Sequence, residues 1–175
     1  MKLIEAMKQI KELVRKQADL RDKIGVYCAH LSLETPVYGE ETRDTVKGWL
    51  QSHEDIAKEI VRLKVAIQRT NLATVVTIKL GDVSVSKRIA EWILRRGNDK
   101  IPGLANADRE AWAKLTDRNL REGIGKNSLG AELEIRIVRN FDPKTRDQKI
   151  ELYRSEPSAI DAALETVNAI TDLLE

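Results

Sequence analysis

Val46-Lys47-Gly48-Trp49-Leu50-Gln51-Ser52-His53-Glu54-Asp55-Ile56-Ala57-Lys58-Glu59-Ile60-Val61-Arg62-Leu63-Lys64-Val65-Ala66-Ile67 is the stretch that decides the fold of this chain. Val46, Trp49, His53, Ile56, Ile60, Leu63 and Ile67 step by three and four, which places one apolar seam along a helix. Upstream, Leu3, Ile10, Gln17, Ile24 and Leu31 recur in seven-residue register. Ala6, Leu13, Leu20 and Tyr27 follow three positions later, and Met7, Val14 and Cys28 widen the stripe. The break Glu34-Thr35-Pro36-Val37-Tyr38-Gly39-Glu40 is turn chemistry. Two helices, over about residues 2–33 and 41–70, are therefore expected to fold back as an antiparallel hairpin. At about 1.5 Å per residue its arms reach roughly 45 Å.

Beyond the hairpin, Val75-Val76-Thr77-Ile78-Lys79-Leu80 is β-branched and stops at Gly81-Asp82, so a short strand is expected, with Val83 and Val85 pairing back on it. Ser84 or Ser86 opens a helix bearing Ile89, Trp92, Ile93 and Arg96 and ending at Gly97. Asp108 opens another, with Ala111, Trp112, Leu115 and Asn119, ending at Gly123. Residues 123–130 read as a mobile connector. Leu133, Ile135 and Ile137 alternate with Glu132, Glu134 and Arg136, and Ile150 and Leu152 alternate with Lys149, Glu151 and Tyr153. With the turn Asp142-Pro143-Lys144-Thr145 between them, these make an expected β-hairpin over 131–154. A last helix opens at Ser155-Glu156-Pro157 with the stripe Ile160, Ala163, Leu164, Val167, Ile170 and Leu174. The expected fold is α+β and mostly α. It has a helical hairpin (1–71), a mixed lobe with a small β-hairpin (72–154), and a C-terminal helix packing back on the hairpin (155–175).

Composition narrows the function. Charged residues make up 33% of the 175 and aromatics only 4%, a balance that suits a helical protein of high surface better than an enzyme with a deep aromatic pocket. Net charge is only +2, too little to imply nucleic acid or membrane by itself. Residues 72–130 hold 11 lysines and arginines against 7 acids, and residues 131–175 hold 6 against 10, so opposed charges can pair within or between copies. No signal peptide and no apolar run of about 20 residues is visible, so a cytoplasmic location without a membrane partner is expected. Cys28, on the seam, is expected to be a small buried hydrophobe.

No chemistry is spelled out. The first glycine of a Walker loop ending at Gly125-Lys126 falls on Leu120, and Asn127 stands where Ser or Thr is needed. His30 and His53 are far apart on an antiparallel hairpin, and His53-Glu54-Asp55-Ile56-Ala57 lacks the second histidine of a zinc helix. No catalytic residue, metal site or cofactor is expected. A basic strip, Arg136, Arg139, Lys144, Arg146, Lys149 and Arg154, is the candidate phosphate-contacting surface, though aromatic side chains for stacking are scarce.

The run Ile67-Gln68-Arg69-Thr70-Asn71-Leu72-Ala73-Thr74 resembles the Ile-Asn-Arg-Thr-Asn run that ends the second helix of septicolysin-like proteins, a small family found in bacteria and phages. An Arg-rich helical stretch, here Val83 to Arg96, follows in both. Ile160-Asp161, Glu165 and Asn168 match the family's closing helix, while Ala169 replaces its tryptophan and Pro157 breaks a longer helix. The resemblance implies a helical-hairpin fold with no established activity, and Asn71 and Asn168 as caps of the stem. The expectation is thus a non-enzymatic, self-associating structural protein. Its most concrete form is a phage virion component, for capsid decoration or at the head–tail junction, joined to other virion proteins. Val46, Trp49, Ile56, Ile60, Leu63 and Ile67 are its association seam. The alternative is an intracellular nucleic-acid-associated adaptor using the basic strip.

Overall fold

Thr70 closes the core of the first of two units in the computed structural model, which describes residues 1–174. This unit takes Met1–Thr74 together with the chain from Glu165 on. Helix α1 (Leu3–Tyr27) and helix α2 (Thr42–Ala73) pack side by side as the expected antiparallel hairpin. The Lys2 N–H donates to Glu5 Oε2 at 2.7 Å, so an acidic side chain in the first turn satisfies a donor the helix leaves free. Between the helices, Gly39 at φ +58 makes the sharp turn, and its carbonyl accepts from the Thr42 hydroxyl at 2.8 Å. At this tip Tyr27, Tyr38 and Trp49 meet edge to face or tilted, with ring centroids 5.3 to 5.8 Å apart.

The open end of the hairpin is tied by the two ends of the chain. The Leu3 N–H donates to the Thr171 carbonyl at 3.0 Å and the Leu173 N–H to the Met1 carbonyl at 2.8 Å. Lys2 Nζ reaches Asp172 Oδ1 at 2.8 Å. The fully buried Thr70 hydroxyl donates to the Ala66 carbonyl at 2.8 Å and accepts from the Leu174 N–H at 2.9 Å. Leu3, Ala6, Ile60, Leu63, Ala66 and Leu173 fill this core. Helix α1 ends at Tyr27, short of the expected 33, so Cys28 leaves the stripe and is exposed, not buried.

The second unit is Val75–Leu164. Strands β1 (Val75–Leu80) and β2 (Val83–Arg88) pair antiparallel with Leu80 opposite Val83. Gly81, at φ +61, takes the first turn position, where a two-residue hairpin of the type II′ kind favours glycine. Val76 and Ile78 are buried on one face. Helix α3 (Ile89–Arg96) buries Ile89 and Trp92, and the Trp92 Nε1–H donates to the Val76 carbonyl at 3.0 Å, fixing the helix on β1. Helix α4 covers Leu104–Ala113 rather than 108–123.

The expected hairpin over 131–154 is corrected. Strand β4 (Glu132–Ile135) pairs with β3 (Gly123–Lys126), the stretch expected to be a connector. Residues Pro143–Ile170 form one helix, α5, whose last residues belong to the first unit. Its opening is an N-cap rather than a turn: Asp142 Oδ2 accepts from the Thr145 N–H at 2.9 Å and Oδ1 from the Lys144 N–H at 3.3 Å. Pro143 then fills the first helical position, where its missing N–H costs nothing. Burial over this helix recurs at 146, 149–150, 152–153, 156–157 and 159–160, the helical period, which outcompetes the short alternation at 149–153. Pro157 lies inside the helix, not in its first turn.

Candidate functional site

Arg95 is the centre of the best-defined polar cluster in the second unit. It sits near the end of α3, whose N-terminus is capped by Glu91 Oε2 accepting from the Arg88 N–H at 2.8 Å. The helix stops at Gly97, φ +74, and the chain doubles back so that Gly97 bridges to Pro102. Gly103 then passes so close that a Cβ there would lie 2.1 Å from the Arg95 carbonyl oxygen. This close crossing turns α4 back toward α3, and Arg95 Nη2 donates to Asp108 Oδ2 at 3.1 Å.

From α5 comes Glu156, 1% exposed, and both of its oxygens accept from Arg95, through Nε and, at 2.8 Å, through Nη2. The Arg95 guanidinium also lies 5.9 Å from the Tyr153 ring centroid. Hydrogen bonding to Glu156, and less so the carboxylate of Asp108, raises the Arg95 pKa above its ordinary value against the cost of burial. Arg96 pairs outward with Asp161 at 2.7 Å. Beside the cluster a cleft of about 250 Å³ is walled by Leu80, Val83, Val85, Trp92, Leu152 and Tyr153, with Lys87 and Lys149 also lining it. The arrangement fixes charge and shape.

The sequence-based candidates distribute differently. Of the seam, Ile60 and Leu63 are buried and Val46, Trp49, Ile56 and Ile67 half-buried, all on α2 inside the hairpin unit. The exposed apolar residues of α2 are others: Leu50, Val61, Val65 and Leu72. Among the described residues the Oδ1 atoms of Asn71 and Asn168 are buried without a hydrogen-bond partner, so they do not cap the stem through these oxygens. Thr70 makes the closing bond instead, one residue from Asn71.

The basic strip does not run along a β-hairpin. Arg136 and Arg139 follow β4, while Lys144, Arg146, Lys149 and Arg154 stand on α5. Arg136 pairs with Glu134 at 2.6 Å, Arg139 with Asp117 at 2.6 Å, Arg146 with Asp147 at 2.8 Å and Arg154 with Glu151 at 3.9 Å. His30 lies past the end of α1, and Cys28 and His30 line an open hollow of about 520 Å³ at the hairpin tip. Among the described residues, no group of three or more His, Cys, Asp and Glu is placed to hold a metal ion. No described helix is long and apolar enough to cross a membrane.

Strand β3 and its pairing with β4 escaped the sequence reading, and the arm they form is the least covered part of the unit. Ile124 is 75% exposed, Leu129 91%, Leu133 53%, Ile135 50% and Val138 78%. The alternation of 132–137 signalled a strand. The partner strand Gly123-Ile124-Gly125-Lys126 was hidden by its two glycines, which lack β propensity.

No family model and no curated protein matches the chain. It is similar in structure to a functionally unknown conserved protein from Corynebacterium diphtheriae, known from a crystal structure. The likeness covers 99% of this chain and 98% of that one, with a TM-score of 0.53 and 20% sequence identity. At that identity the likeness bears on the fold alone.

Proposed function

We propose that this chain is a non-enzymatic interaction protein that works by self-association. The observation that carries the reading is the β3–β4 arm. A two-stranded ribbon alone is marginally stable in water, and this one leaves Leu133 and Ile135 half-exposed on one face. Exposed apolar side chains next to unpaired strand edges mark a surface that gains free energy by meeting another chain. The seam of α2 contributes indirectly, by making the hairpin from which the protein is built. A virion component, as the septicolysin-like resemblance implies, is the concrete setting we propose for such an assembly.

Light scattering over a concentration series tests the reading. Mass above the 19.8 kDa of one chain is expected, and Leu133→Lys is expected to lower it without loss of helix content. A mass of 19.8 kDa at every concentration overturns it. Affinity for nucleic acid that falls steeply with salt, from a monomeric protein, would replace it with the adaptor reading.

A further inference from the structure

Among the described residues strand β4 has a partner on one side only, since β3 and β4 form a two-stranded sheet. The Asn127 N–H donates to the Ala131 carbonyl at 3.0 Å, and Gly125 lies opposite Leu133 and Gly123 opposite Ile135. Antiparallel pairing alternates, so residues 131, 133 and 135 turn their backbone groups toward β3. Residues 132, 134 and 136 turn theirs to the free edge. The chain continues in this sense, for the Ile137 N–H is held on the β3 side by Glu122 Oε1 at 3.3 Å.

The side chains alternate as well. Leu133 and Ile135 share one face with Gly123 and Gly125, and Glu134 lies on the other; the same alternation carried past the end of β4 puts Ile137 on the first face and Arg136 on the second. A Cβ at Gly125 would lie 2.6 Å from Ile135 Cδ1, so the isoleucine lies over the glycine.

The segment Leu133-Glu134-Ile135-Arg136-Ile137 therefore reads the same from both ends in polarity and opposite in charge. We propose that two copies of this chain pair antiparallel through the free edges of β4, about a two-fold axis at Ile135. The proposal rests on the self-association reading and names its surface. In this register Glu134 faces Arg136 of the second copy, and both residues carry the outward backbone groups such a pair exchanges. Ile135 faces its own copy, and Leu133 faces Ile137, making one apolar face across four strands.

Charge selects the register. A slide of one pairing step in one direction sets Glu134 against Glu134; in the other, Arg136 against Arg136. Both place like charges directly opposite, which destabilises a sheet. Odd slides bring outward backbone groups against inward ones and cannot bond. Within one copy Arg136 and Glu134 pair at 2.6 Å with side chains 74% and 64% exposed, a pairing weak enough to exchange for one between copies. The partner this edge fits is a second copy of the same chain.

The test is cross-linking in a Cys28→Ser background, because Cys28 is exposed. Ile135→Cys puts two thiols at the axis, in a non-hydrogen-bonded pair whose spacing suits a disulfide. A disulfide dimer is expected under mild oxidation, and Leu129→Cys, at the turn, is expected to stay monomeric on the same gel. Glu134→Arg is expected to weaken the dimer about tenfold, because symmetry doubles each like-charge contact. Adding Arg136→Glu to it is expected to restore the dimer. Helix content by circular dichroism checks that each variant folds. An assembly seen by light scattering, with no disulfide dimer from the Ile135→Cys variant and no rescue by the charge swap, overturns this pairing while leaving self-association standing. A monomer at all concentrations overturns both.

Discussion

Glu156 and Arg95, sixty-one residues apart in sequence, form a two-pronged ion pair in which the carboxylate is 1% exposed. Removing Arg95 leaves the buried Glu156 carboxylate without its counterpart, a larger loss than the pair gains by existing, whereas Arg95 keeps Asp108 at 3.1 Å when Glu156 is removed. Arg95→Met is expected to cost about 3–5 kcal/mol. Replacing both, as Arg95→Met with Glu156→Leu, is expected to recover most of that. Urea denaturation of the three proteins checks this, and a double variant no better than the single one would contradict it.

Gly103 predicts a steric outcome. A Cβ there meets Arg95 O at 2.1 Å and Arg96 C at 2.3 Å, both backbone atoms that no rotamer change can move. Gly103→Ala is expected to cost about 3 kcal/mol or more, because the methyl group fits only if the Arg95–Arg96 backbone moves away. Gly123→Ala, whose Cβ meets nothing within 4 Å, is the control and is expected to stay near wild type. Thermal melts of the two variants should separate clearly.

Thr70→Val keeps shape and removes the hydroxyl. The Leu174 N–H, 2.9 Å from Thr70 Oγ1, loses its acceptor. The expected loss is about 1–3 kcal/mol. Faster hydrogen exchange at Leu174 is the specific readout, since a general packing defect would not single out that amide.

Acid acts on the tie between the chain ends. A hydrogen bond from Lys2, with the Lys2 charge and a smaller effect of the Met1 amino group, holds the Asp172 carboxyl below its ordinary value of 3.8. A carboxylate so depressed contributes stability above its unfolded value, and the contribution is lost as pH falls through the lower folded value. Titration of the Asp172 carboxyl by NMR is expected to show a midpoint below 3.8 that moves back up in Lys2→Met. An unmoved midpoint in that variant would remove Lys2 as the cause.

The hairpin was legible because its cause is local and periodic. Seven seam residues at three-and-four spacing leave α2 no other regular structure, and Gly39 with Pro36 marks the turn. The strands at 75–88 were equally plain, with β-branched residues on either side of Gly81-Asp82. Residues 142–154 misled because Lys149 to Tyr153 alternate over too few positions to distinguish strand from helix. The Asp142-Pro143 pair was the deciding signal there, as an N-cap followed by proline in the first turn.

The sequence by itself determined the helical hairpin, the first β-hairpin and the strand at 132–135, because side-chain period and turn chemistry act between near neighbours. Only the tertiary structure decided that Arg95 meets Glu156 and Asp108, that Thr70 and not Asn71 receives the chain end, and that β3 pairs with β4. The first two unite residues distant along the chain. They depend on how elements distant in sequence are delivered to one another, as the Gly97–Gly103 crossing delivers α4 to α3, and no local pattern encodes that delivery. The third depends on a glycine-bearing strand whose own residues carry little β preference, so its neighbour β4 had to supply the pairing.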